Sequence, residues 1–303
     1  MAAGYRICGL TVSSEFELPG AIANPSPVAR ADVAIRRASV PASLSGVTAT
    51  GPIWEMLGDR ILLRVPRLAR YLMTAGREIA VELEPDATER DATGFVLGTA
   101  FGILLHQRGA LVLHGAAVAK GGRAIAICGP SGAGKSTLAA ALCRDGCFFA
   151  TDDLCVVALD EHRRPVVLPD GRRLKLWKES IDKLDLAGRQ GEVVRDSFEK
   201  YYIEPFDTAA EPPRLSAIYV LREALRPIEE SIQGLALPDA MRALDYETYL
   251  PELRVKMGHK PEMLARAAAM LGHARVFLLI RPRGFEHMPE TVGALRAHWD
   301  ALG

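Results

Sequence analysis

The run GPSGAGKST, from Gly129 to Thr137, constrains this chain more than any other feature of its sequence. It matches the pattern G-x-x-x-x-G-K-[ST], and its flanks matter as much as its letters. AIAIC before it reads as a short buried strand, and KSTLAAALC after it as an Ala- and Leu-rich helix. Glycines at 129, 132 and 134 let the connecting backbone adopt turns that other residues resist. Several N–H groups then aim inward, and the positive end of the following helix adds to their field, so the turn suits phosphate oxygens. Lys135 is placed to reach the β- and γ-phosphates and the Ser136 hydroxyl to ligate Mg²⁺. The expected ligand is ATP with Mg²⁺, held by Gly129, Ser131, Gly132, Ala133, Gly134, Lys135, Ser136 and Thr137. Such a loop does not specify a reaction, because ATPases, GTPases and several kinds of kinase use one.

Two constellations flank the loop. His114-Gly115 stands at the end of the strand-like stretch Ala110–Leu113, and Thr151-Asp152-Asp153 follows the strand-like stretch Cys147–Ala150. If those strands are sheet neighbours, all of these groups meet beyond the strand ends, where open α/β sheets bind ligands. One carboxylate of the pair can serve Mg²⁺ and the other can accept a proton from an attacking hydroxyl. The expectation is Asp152 as proton acceptor and Asp153 as metal-side carboxylate together with Ser136. His114 would tune the base and Lys135 would stabilise the transferring phosphoryl group.

Strands alternating with helices after Gly109 imply an α/β core. Leu154–Leu159, Ser216–Leu221 and Arg275–Ile280 read as further strands, Pro261–Leu271 and Pro289–Leu302 as closing helices. Before Gly109 the chain reads as β-rich, with strand-like Tyr5–Val12, Ala31–Ala38, Arg60–Val65 and Glu78–Leu83. Pro19-Gly20, Pro25, Pro27 and Gly51-Pro52 punctuate it. A buried helix is expected over Ala92–Gln107. The expected division is a small β-rich N-terminal domain over residues 1–90 and a nucleotide-binding kinase domain over 91–303.

Composition narrows the setting. Of 303 residues 49% are hydrophobic, enough for a sizeable core. Lys+Arg and Asp+Glu both number 37 and aromatics are 6%, which removes the electrostatic and stacking cases for a nucleic-acid partner. No signal peptide and no apolar run long enough to span a bilayer is visible, so no membrane partner is expected. Cys8, Cys128, Cys143, Cys147 and Cys155 form no CxxC pair and read as reduced core thiols, in keeping with a cytoplasmic protein. The basic run Arg163, Arg164, Arg172, Arg173, Lys175 and Lys178 reads as a solvated edge. Lys200, Tyr201, Tyr202 and Glu204 are candidates to line a substrate groove, with Glu204 as an extra Mg²⁺ ligand. Arg254 and Lys256 are further candidates to stabilise charge.

The stretch from Leu113 to Val157, with His-Gly, phosphate loop and Asp-Asp in order, resembles the catalytic core of bacterial HPr kinase/phosphorylase. The resemblance implies a fold akin to HPr kinase and phosphoenolpyruvate carboxykinase, and an ATP-dependent kinase acting on a protein serine. His114, Lys135, Ser136, Asp152 and Asp153 are the matching positions. The family's LxELRGxG-type signature is missing downstream; the chain reads RRLKLWKESIDKL there, so little or no phosphorylase reaction is expected. The whole is more similar to the shorter HPr-kinase-related proteins of ribosomal-peptide gene clusters, including lasso-peptide clusters. The implied partner is a protein or peptide carrying the acceptor serine or threonine, and the chain itself is open to homo-oligomer formation. A small-metabolite kinase and a nucleotide-dependent peptide-binding protein without transfer activity remain the alternatives.

Overall fold

The computed structural model describes residues 2–21, 23, 30–195, 198–204, 206–208, 211–225, 228 and 231–302. Pro25 and Pro27 lie outside the described residues. The architecture is mixed α/β with three sheets.

The first sheet is made by β1 (Ala3–Ile7), β2 (Leu10–Ser14), β3 (Val33–Arg37), β4 (Ala49–Thr50), β5 (Trp54–Leu57), β6 (Arg60–Val65), β7 (Ala69–Thr74) and β8 (Glu78–Leu83). Its order is β1-β2-β3-β8-β7-β6-β5-β4. The single strand expected over Tyr5–Val12 is a hairpin, because Cys8 and Gly9 both take positive φ and fold β2 back on β1. Thr88 then caps a helix through its side chain, which accepts from the Asp91 amide. That helix runs as α1 (Glu89–Phe95), one π-helical stretch Val96–Ala100, and α2 (Phe101–Gln107). Its apolar face closes the first sheet. Val96, Phe101 and Leu104 share one core with Ile35, Tyr71 and Ile79.

The second sheet carries the site. It contains β9 (Leu111–Lys120), β10 (Arg123–Cys128), β11 (Phe148–Thr151), β12 (Leu154–Leu159), β13 (Pro165–Leu168), β17 (Arg214–Ala224), β18 (Ile232–Gly234) and β19 (Arg275–Pro282). Strands β10, β17 and β19 run parallel, while β9 pairs antiparallel with β10, β11 and β12. Alternation along β10 sends Ile125 and Ile127 to one face and Ala124, Ala126 and Cys128 to the other. The first face packs on α3 (Lys135–Arg144) and α8 (Met288–Ala301), the second on α5 (Leu237–Tyr246) and α7 (Lys260–Leu271). A short α6 (Pro251–Lys256) links α5 to α7. The third sheet has the order β14-β16-β15, from β14 (Lys175–Trp177), β15 (Gln190–Arg195) and β16 (Phe198–Ile203), with α4 (Lys178–Lys183) beside it. All five cysteines are free and buried, as small core residues would be. Among the described residues no helix is long and apolar enough to cross a membrane.

Candidate active site

Strand β10 ends at Cys128 and α3 begins at Lys135, so the glycine-rich run forms the turn between them. Gly134 has φ +87°, and a Cβ there would stand 2.6 Å from the Arg281 guanidinium. Only glycine meets both conditions without strain. Lys135 is 8% exposed, and its Nζ donates to the carbonyls of Gly129 at 2.8 Å and Pro130 at 3.0 Å. Burial lowers its pKa against the pull of Asp152 and Asp153.

The carboxylate pair sits in the tight connection between β11 and β12. The Leu154 amide donates to the Asp152 carbonyl at 2.9 Å, which closes a three-residue turn around Asp153 at φ +68°. A non-glycine residue held there is under backbone strain, and the turn needs an anchor. Buried Asp170 and Arg172 supply it. One Asp170 carboxylate oxygen accepts from the Thr151 hydroxyl and the Asp152 amide, and pairs with Arg172 at 2.9 Å. Arg172 in turn donates to the Asp152 carbonyl at 2.7 Å and to the Leu97 carbonyl at 2.8 Å.

The turn gives the two aspartates different surroundings. Asp152 is 3% exposed; its Oδ1 accepts from the Ser136 hydroxyl at 2.8 Å, while Oδ2 is buried without a hydrogen-bond partner among the described residues. Burial, and then the neighbouring Asp153 charge, push its pKa up to about 6. Asp153 lies at the cleft surface and accepts from Lys175 Nζ at 2.6 Å. Burial opposes its ionisation, but Lys175 and Arg172 outweigh that and hold its carboxyl far below the usual range.

His114 belongs to the middle of β9, paired with Leu154 of β12, and not to a strand end. It stacks on Tyr249 with ring centroids 5.7 Å apart. Burial, and then Lys135, lower its pKa, so it is neutral at pH 7. Gly115 beside it has no room for a side chain, since a Cβ would come within 2.6 Å of the Ile127 carbonyl oxygen.

These groups line one cleft of about 560 Å³, which contains Ser131, Gly132, Gly134, Lys135, Ser136, Thr137, His114 and Asp153. The structure brings Asp152, and not Asp153, to Ser136. Lys175 and Lys200 join the cleft wall, whereas Arg172 is buried in the anchor described above. The solvated-edge reading therefore fails for Arg172 and Lys175, because each has a buried or cleft-facing carboxylate partner. Glu204 is exposed and reaches only Arg173, at 3.5 Å. Arg254 is buried against Asp245, away from the cleft lining, and Lys256 is exposed.

Arg281 is a cleft-lining residue that the sequence reading does not single out. It is 7% exposed, lines the cleft, and donates to the Ala133 carbonyl at 2.6 Å. The available signal was its place at the end of an apolar strand, RVFLLIRPR, parallel to the strand that leads into the glycine turn. Among the described residues no group of three His, Cys, Asp or Glu side chains gathers to hold a metal ion by itself.

No protein-family model matches the chain, and no curated protein matches it. Among solved structures it is similar to the HPr(Ser) kinase/phosphatase from Coxiella burnetii. The TM-score is 0.35 and the identity 14%, over 63% of this chain and 92% of that chain. A similarity at that level transfers neither activity nor residue roles.

Proposed function

We propose that this chain is a phosphotransferase that moves the γ-phosphoryl group of ATP to a serine or threonine hydroxyl of a protein or peptide. The observation that carries the reading is the glycine-cornered strand-to-helix turn whose Lys135 faces the same cleft as Asp153. Loop amides and the start of α3 offer donors to the phosphates, with Lys135 and Arg281 supplying positive charge for the transferring group.

The acceptor hydroxyl oxygen attacks the γ-phosphorus, the bond to the β,γ-bridging oxygen breaks, and its electron pair leaves with ADP. Asp153 orients the hydroxyl by accepting its hydrogen bond and takes the proton late, once the forming phosphate ester has made it acidic. Held ionised by Lys175, Asp153 suits orientation better than early proton removal. Mg²⁺, when bound, neutralises charge on the β- and γ-phosphates. The Ser136 Oγ and the partnerless Asp152 Oδ2 fit such an ion, which takes few protein ligands when phosphates complete its shell. This exchanges the roles expected for the two aspartates from sequence. Asp152's free oxygen is buried beneath the loop, where a substrate hydroxyl does not reach.

The sequence resemblance suggests a lasso-type precursor peptide as acceptor, and the unpaired cysteines suggest a cytoplasmic setting. A small-metabolite kinase is the second reading, favoured by a compact pocket of about 320 Å³ that shares Lys175, the partner of Asp153, with the cleft. The test is mass spectrometry of candidate peptides and hydroxy compounds incubated with the protein and ATP–Mg²⁺. A +80 Da product is expected, and Lys135→Ala should lower its rate by at least ~10²-fold while the fold survives. Nucleotide binding without transfer to any acceptor would favour a nucleotide-dependent binding protein instead.

A further inference from the structure

The 320 Å³ pocket adjoins the cleft, and Lys175, Trp177 and Lys200 line both. Its remaining wall comes from distant parts of the chain: Pro19 and Gly20 from the N-terminal sheet region, and Gly94 and Leu97 from the helix before β9. At that volume it admits a small group, not a folded surface.

Its charge is one-sided. Arg172, Arg173, Lys175 and Lys200 contribute to the lining, and among the described residues no carboxylate does. Two of these cations are already matched, Arg172 by Asp170 at 2.9 Å and Lys175 by Asp153 at 2.6 Å. Among the described residues the Arg173 guanidinium pairs with the exposed Glu204, at 3.5 Å. Lys200 has no ion-pair partner among the described residues; its ammonium lies 5.8 Å from the centroid of the Trp177 ring. Trp177 is itself 50% exposed, a large apolar surface at the rim. In a chain of zero formal charge, this is a local excess of positive charge, joined through Lys175 to the proposed hydroxyl-orienting carboxylate of Asp153.

We propose that this pocket is the acceptor site, and that Lys200 and Arg173 select acceptors bearing an anionic group next to the hydroxyl that is phosphorylated. The proposal rests on the phosphotransferase reading. Lys175 sets the geometry, because it holds Asp153 on the cleft side while its neighbours Lys200 and Arg173 face the pocket. A hydroxyl on Asp153 thus has its flanking anion on Lys200 and Arg173, with the connecting carbons against Trp177 and Leu97. The pocket's cations offset the repulsion between Asp153 and the anion. The same chemistry is offered by a serine flanked by acidic side chains and by a free hydroxy acid.

The test uses the full chain with matched probes. One pair is a doubly capped serine tripeptide with flanking glutamates and its glutamine counterpart; the other is glycerate and glycerol. Binding is followed by Trp177 fluorescence, with Trp177→Phe as the blank, and transfer by phosphate incorporation from ATP–Mg²⁺. The anionic member of at least one pair should bind and react at least ~10-fold better in kcat/KM, and the pair that responds identifies the source. Lys200→Met and Arg173→Met should each raise KM for that anionic probe and narrow its advantage over the neutral one, with Lys200→Arg restoring it. Equal use of anionic and neutral probes, or no anion-dependent change in Trp177 fluorescence, overturns the proposal. Anion binding at Trp177 without transfer to any probe instead overturns the phosphotransferase reading and leaves an anion site.

Discussion

At the scale of single residues, the Asp152–Asp153 pair shows how one turn gives two adjacent identical side chains different surroundings. Strand alternation alone would send them to opposite faces; the positive φ of Asp153 and the Arg172 anchor decide which carboxylate is buried and which meets the cleft. The consequence for pH can be worked out. Asp152 has its folded pKa pushed up to about 6, above the ordinary 3.8, so between those values the folded state binds the extra proton. Stability therefore falls as pH rises through that window, and the full penalty is present above it. A cation on Oδ2 offsets the penalty only where Asp152 is ionised. Mg²⁺ should thus raise Tm at pH 7.5 and have little effect at pH 5, and Asp152→Asn should abolish the difference. His114 titrates with the opposite sign, because burial lowers its pKa, so comparing wild type with Asp152→Asn isolates the aspartate. An equal Mg²⁺ shift at both pH values in wild type would refute the metal role of Asp152.

At the scale of elements, legibility followed how local the stabilising interactions are. The apolar strands Arg60–Val65 and Glu78–Leu83, the helix Lys135–Arg144 and strand Ala124–Cys128 are read almost to the residue, since their own composition marks them. The sequence reading ends the strand from Ala110 at Leu113, whereas β9 runs from Leu111 to Lys120. It continues to Lys120 because the bare Gly115 lets the neighbouring Ile127 carbonyl approach. The segment from Asp170 to Ile203 was the least legible. Arg172 and Lys175 look like surface charge until the fold brings Asp152, Asp153 and Leu97 to them, and no local pattern announces that. The loop, His114 and the aspartates stand out in the sequence because they lie in one contiguous stretch. Arg281 was missed because it arrives from 146 residues beyond Lys135 along the chain. The close approach at Gly115 makes a sharp test. Gly115→Ala forces backbone against backbone between paired strands, where neither can rotate away, so it should cost about 1–3 kcal/mol in urea unfolding and displace His114 from Tyr249. An unchanged midpoint would mean that the β9–β10 pairing is looser than these distances imply.

At the scale of the whole molecule, the first sheet is not an appendage. One continuous core joins Ile35, Tyr71 and Ile79 of that sheet to Val96, Phe101 and Leu104 of the following helix, and on to Val112, Leu154 and Val156 of the second sheet. Pro19 and Gly20 also wall the pocket that shares Lys175 with the cleft, so the N-terminal region that joins the core also contributes to that pocket. Removing residues 1–90 would uncover half a dozen large buried side chains at about 1.5–3 kcal/mol each. That sum, on the order of 10 kcal/mol, is comparable with the entire stability of an ordinary domain. A chain beginning at residue 91 should therefore bind a hydrophobic dye, show no sharp thermal transition, and hold ATP–Mg²⁺ poorly although it retains every loop residue. The full chain should melt in one calorimetric transition, since the shared core couples the two sheets. Because Leu154 lies next to Asp153 and packs in that core, loosening the first sheet should reach the carboxylate turn before it reaches α3. A fragment from residue 91 that melted cooperatively and bound ATP–Mg²⁺ as the full chain does would show that the core divides at the helix, and that the first sheet contributes to acceptor selection alone.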